Sequence, residues 1–219
     1  MKCIPIRVQH AHFVVQSIFR WSDTIYVTKQ QLETKPVWMQ RAYKFVRHPA
    51  VFLWFAPLMN WFVDYRIPIS TMSTPASAKV VNTVGVIVEL VLLHFFGPTG
   101  IVLPFVGAVF ASCVYGITLF HCQHTFNPGY VVESNWSKEL ASLRGTSILL
   151  IPWWLKWFTM GIEYHHIHHL NSRVPGYNLR RCHEGADAKF WQSVPRLGGK
   201  DMLRSLTYTL WDEELKKFV

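Results

Sequence analysis

Residues 80–120 read VVNTVGVIVELVLLHFFGPTGIVLPFVGAVFASCVYGITLF, two apolar runs around a Gly-Pro-Thr-Gly turn. The second run, Gly100 to Phe120, carries no charge, and a run of about 20 such residues has the length that crosses a hydrocarbon core as a helix. The first, Val80 to Phe96, contains Glu89 and His94 among apolar neighbours, a polar load that a span tolerates when the acid faces protein. The uncharged turn Gly97-Pro98-Thr99-Gly100 predicts a tight helical hairpin. Arg66 and Lys79 flank one outer end, and Lys138, Arg144 and Lys156 the other, so the positive-inside bias places both outer ends in the cytoplasm.

Outward from the hairpin the apolar segments change character. Residues 50–63 are too short for a span and contain Pro57 and Asn60, with Trp54 and Trp61 suited to the headgroup level. They are read as interfacial, because a crossing there would put His10 and His12 on the membrane face opposite His124. In residues 148–164, Trp153, Trp154 and Trp157 surround Lys156, which predicts a second interfacial helix. From Asp201 to Val219 the spacing of Met202, Leu203, Leu206, Leu210 and Leu215 predicts an amphipathic helix. The fold class expected is an all-α integral membrane protein: a transmembrane hairpin, interfacial helices and a cytoplasmic, histidine-rich metal-binding cap in one domain over residues 1–219.

The 219 residues are 50% hydrophobic and 15% aromatic, with a formal charge of +9. Positive charge suits nucleic acid or anionic lipid, and the lack of a basic run or nucleic-acid motif favours lipid. Cys3, Cys113, Cys122 and Cys182 are scattered, as expected of free thiols in a reducing compartment.

Eight of the eleven histidines fall in three groups: His10 and His12; His121 and His124; and His165, His166, His168 and His169. On a helix, positions i, i+3 and i+4 share a face, so His165, His168 and His169 converge while His166 points away. Imidazole ligands with few carboxylates nearby imply a first-row transition metal. A single histidine is more often structural, but four within five residues reverse that balance. His124 follows the long span and His165 to His169 an interfacial segment, so both groups lie near one membrane face. His121, one turn before His124, either ligates or supports it. A zinc site built from Cys122, Cys182, His121 and His183 would match no usual structural spacing.

Gly161 to Leu170, continuing from Val174 to Glu184, resembles the final histidine cluster of the membrane fatty acid desaturases, specifically their delta-12 (omega-6) acyl-lipid branch. Gln123-His124-Thr125-Phe126 resembles the family's Q-H-x-F element, and Leu210 to Glu214 its C-terminal helix. The resemblance implies a di-iron centre using O2 and two electrons to introduce a double bond into an acyl chain. It matches His124, His165, His168 and His169 to ligands, leaves His10, His12 and His121 as further candidates, and places Asn178 and His183 as supporting residues. The family's first cluster, H-x-x-x-H, is absent, and only His10 and His12 stand where its H-x-x-H-H cluster belongs. The expectation is therefore an N-terminally incomplete chain with incomplete iron occupancy.

Implied partners are an acyl lipid or acyl thioester, an electron donor such as cytochrome b5 or ferredoxin, and membrane lipids, without nucleic acid. The metal site would face the cytoplasm or stroma in the endoplasmic reticulum, a plastid or a bacterial inner membrane. An acyl hydroxylase and an inactive truncated homologue are the alternatives.

Overall fold

The computed structural model describes residues 27–59, 76–97, 99–100, 103–129 and 137–219. His10, His12, Arg66 and the segment 60–63 lie outside them. The described structure is mostly helical and divides into two units, one of Met1–Arg41 with Phe120–Val219, the other Ala42–Leu119.

Helix α2 (Val37–Arg47) runs from the first unit into the second, where α3 (Pro49–Met59) follows it. Pro57 lies inside α3 rather than ending it. Two 22-residue helices come next, α4 (Ala76–Gly97) and α5 (Leu103–His124). Each is about 33 Å long at 1.5 Å per residue, enough for a hydrocarbon core of about 30 Å. Gly97, at φ 66°, ends α4 in the left-handed region that glycine adopts freely. Among the described residues one helix, Leu103–His124, is long and apolar enough to cross a membrane; Asn82–Gly97 and Pro49–Leu58 are shorter apolar stretches. Val84, Ile87, Leu90, Val91 and Phe95 of α4 are all exposed. Trp54 packs on Phe110 with ring centroids 5.1 Å apart, joining α3 to α5.

The first unit begins with α1 (Lys29–Glu33). Thr28 caps it: its Oγ1 accepts from the Gln31 N–H at 3.1 Å, and Gln31 Oε1 accepts from the Thr28 N–H at 3.3 Å. After Ser137, which caps α6 (Lys138–Arg144), strand β1 (Ile148–Leu149) pairs in parallel with β2 (Arg196–Leu197). Residues 148–164 are therefore not the continuous helix expected. They run from β1 through a 3-10 turn at Trp153–Leu155 and a single turn of α7 (Lys156–Thr159) to Met160 and Gly161, both at positive φ. Pairing to a strand nearly fifty residues away outweighs the local helical pattern, and Pro152 cannot continue a helix begun before it. Next come α8 (His165–Leu170), α9 (Gly176–Glu184) and a 3-10 turn at Ala188–Trp191.

The second correction concerns the C-terminus. The helix starting near Asp201 is α10 (Gly199–Ser205), and β3 (Trp211–Asp212) and β4 (Lys217–Phe218) then form an antiparallel pair. Asp212 Oδ1 accepts from the N–H groups of Glu214 and Leu215 at 3.0 Å each, and Lys216 takes a left-handed φ of 48°. That turn chemistry defeats the leucine spacing. The pair is anchored twice. Asn127 donates to the Phe218 carbonyl at 2.9 Å and accepts from its N–H at 2.8 Å, while Thr28 bridges to Trp211 and Lys29 reaches Asp212 at 3.3 Å.

Candidate metal centre

The last turn of α5, Phe120 to His124, belongs to the first unit and is held by buried polar contacts. His121 Nε2–H donates to the Ser205 carbonyl at 2.9 Å, the Ser205 hydroxyl to Cys122 Sγ at 3.1 Å, and Gln123 Nε2–H to the Ile162 carbonyl at 2.6 Å. The Gln123 bond ties α5 to the turn preceding α8. In that turn a side chain on Gly161, at φ 91°, would collide with the Gly176 carbonyl, and one on Gly176 would stand 2.6 Å from the Met160 carbonyl. The two glycines allow the backbone before α8 to lie against the start of α9.

His124 and His165 thereby meet. His165 Nε2 lies 2.9 Å from His124 Nε2 and 3.1 Å from His169 Nε2. The three residues form a group whose ligand atoms all lie within 4.8 Å of one another. His124 Nδ1–H donates to the Gly145 carbonyl at 3.3 Å, which leaves its Nε2 as a bare lone pair. The one hydrogen that a neutral His165 could carry on Nε2 cannot serve two neighbouring nitrogens well. Ligand bonds of about 2.0–2.1 Å at right angles would put neighbouring nitrogens about 3 Å apart, which is the spacing of His165 to each neighbour. One ion would hold all three once the His124–His169 separation, within 4.8 Å, is no more than about 4.2 Å. A backbone carbonyl that orients the ring of a ligating histidine is the usual support for such a bond. Burial, then the nearby imidazoles of His124 and His169, push the His165 pKa far below its ordinary value, so the ring is neutral and its lone pair available. The donor set fits a first-row transition metal.

His168 lies beside the three, its ring stacked on His165 at 5.5 Å and 5.9 Å from His169, but it is not one of the converging nitrogens. His121 is not brought in, because its Nε2 is directed at α10. Asn178 is half-buried on α9 and its N–H donates to the Pro175 carbonyl at 2.9 Å. His183 makes a contact that the spacing argument did not anticipate. His166, expected to point away from the cluster, is fully buried with Nε2 3.0 Å from His183 Nδ1. Trp191 closes this group: its indole N–H donates to the His183 carbonyl at 2.9 Å, and its ring stacks on His183 at 5.3 Å. Burial, then His183, hold the His166 pKa down at about 3. Another buried contact missed at the sequence level is Glu163, whose carboxylate accepts from the Thr159 hydroxyl at 2.6 Å. No local pattern marks Trp191 or Glu163; each acquires its role through contacts that only the fold creates.

The family model for fatty acid desaturases matches residues 8–196. The chain belongs to the fatty acid desaturase family. It is 42% identical over 105 residues to a fatty acid desaturase of Bacillus subtilis (strain 168), a match covering 48% of this chain and 29% of that protein. It is 30% identical over 111 residues to the sn-1 oleoyl-lipid 12-desaturase of Picosynechococcus sp., covering 49% and 31% respectively. To the chloroplastic omega-6 fatty acid desaturase of Glycine max it is 28% identical over 90 residues, covering 41% and 20%. These matches span less than a third of each desaturase's own length. No solved structure matches.

Proposed function

We propose that the protein is an acyl-lipid desaturase whose histidines hold a di-iron centre at the cytoplasmic or stromal surface of a membrane. The observation that carries this reading is the convergence of His124, His165 and His169 through their Nε2 atoms, at the end of the apolar helix α5. His168 completes the ligand set in this chain, and His10 and His12 are candidates outside the described residues. Iron bound there would supply the oxidising chemistry, in which O2 would be reduced to two waters by two hydrogen atoms from the acyl chain together with two electrons from a donor and two protons, leaving a double bond.

The chain's own residues bind and exclude. The imidazoles, kept neutral by burial, offer lone pairs, and Gly145 fixes the direction of one of them. The apolar run of α5 leads directly into His124, so an acyl chain lying in the bilayer meets the ligands without passing through water. In this reading α4 and α5 form a transmembrane hairpin. Residues 50–63 and 148–164 lie in the interface, with Trp153, Trp154 and Trp157, all exposed, at the headgroup level. The substrate is an acyl lipid or acyl thioester, and the electrons come from a cytochrome b5 or ferredoxin type of donor.

Fatty acid profiling of a host expressing the chain tests the activity, with and without an upstream segment carrying H-x-x-x-H and H-x-x-H-H. New double bonds that vanish in His165→Ala support the reading. A hydroxylated product assigns the same ligands to oxygen insertion, and no product from either form despite normal membrane insertion sinks the enzyme reading.

A further inference from the structure

Helix α8 carries three of the four matched ligands but is only His165–Leu170 long, and Tyr164 at its N-terminus makes no capping bond through its side chain. A helix of under two turns has no independent stability, so its rotation about its own axis must be set by what it packs against. Successive residues on a helix are about 100° apart. Any rotation that moves His166 therefore swings His165 and His169 out of the arrangement that brings them within about 3 Å.

On the face away from the three converging nitrogens, fully buried His166 meets His183 of α9 at 3.0 Å. The proton in that bond can be placed. The Nδ1 atom of His166 is buried and has no hydrogen-bond partner among the described residues. A proton there would be an unsatisfied buried donor, whereas a bare lone pair is far less costly. His166 Nε2–H therefore donates, and His183 Nδ1 accepts. Its position is fixed in turn by Trp191, which binds the His183 carbonyl, stacks on its ring, and lies against His166 with ring centroids 4.9 Å apart.

We propose that His166, His183 and Trp191 form a positioning brace, outside the metal coordination, that locks the rotation of α8 so that His165 and His169 stay aimed at the ion. The brace rests on the metal-centre reading for its purpose but not for its existence, and the two are separable by experiment. The variants are His183→Leu, which removes the acceptor, and His183→Asn, whose side-chain oxygen stands close to where Nδ1 was and accepts the same hydrogen.

The first measurement is hydrogen–deuterium exchange of the peptide covering 164–171 in the full metal-free chain, reconstituted in lipid nanodiscs. Faster exchange in His183→Leu with parental exchange in His183→Asn supports the brace; unchanged exchange in His183→Leu overturns it. The second is Co(II) titration of the same proteins, followed by visible absorption. Affinity should fall about 10–100-fold in His183→Leu, the usual cost of losing a supporting residue, and recover in His183→Asn. At saturation the Leu variant should give the parental spectrum, because the ligands are unchanged. A saturated spectrum that differs from the parent would make His183 a ligand and overturn the brace. A parent that takes up no Co(II) would remove the metal reading and leave the exchange measurement to decide the brace.

Discussion

His165 stands at the centre of the site, its Nε2 within 3.1 Å of both partners. His165→Ala should therefore weaken metal binding by more than the roughly 10–100-fold expected for a supporting residue, measured by competition with a chelator. His121 provides the contrast. Replacing it with phenylalanine removes one of two donors to the Ser205 carbonyl, which keeps the Tyr208 N–H at 3.0 Å, at a cost of about 0.5–1.5 kcal/mol of stability, while metal affinity stays near the parental value. Equal losses of affinity in the two variants would bring His121 into the coordination. The neutral imidazoles also set a pH dependence. Burial lowers the His166 pKa to about 3 in the folded chain, against about 6.5 in the unfolded one. Between those values the unfolded state binds more protons, so stability is complete above about pH 6.5 and falls as pH drops toward 3. Thermal unfolding of the metal-free chain should show this decline between pH 7 and 4, and a flat melting temperature over that range would contradict the buried, neutral assignment.

At the scale of elements, legibility tracked locality. Helix α5 was readable because an uncharged run needs no distant partner to declare itself, and the i, i+3, i+4 spacing placed His165, His168 and His169 on one short helix before any contact was known. The segment 148–164 was misread because its fate is decided by Arg196 and Leu197, which no local window contains. The C-terminal segment was misread because leucine spacing was given more weight than the turn-forming Asp212. His166 was assigned the correct direction, but its destination on α9 depends on how two helices pack. The β3–β4 pair offers a sharp test of the structure. A methyl on Gly129 would stand 2.7 Å from the rings of both Phe218 and Trp211. Gly129→Ala should therefore destabilise by about 1–3 kcal/mol through overpacking, seen as a lowered denaturation midpoint. A neutral outcome would mean that the pair does not close over the loop after His124.

For the whole molecule, the topology we propose predicts the behaviour of one exposed position. Thr99→Cys, in a background lacking the native cysteines, should react with a membrane-impermeant maleimide only from the side opposite His124. Labelling from the cytoplasmic side would overturn the hairpin. The first unit also joins distant parts of the chain: Lys29 binds Asp212 across 183 positions, and Asn127 holds the backbone of Phe218 across 91. A ribosome adding about 5–20 residues per second takes about 10–40 s to cover the first interval. Throughout that time Thr28 lacks its bridge to Trp211 and Lys29 its bond to Asp212, and Asn127 lacks Phe218. These contacts therefore form only after His124, His165 and His169 have all been synthesised, so the strand pair closes over the loop after His124 when the histidines of the cluster are already made.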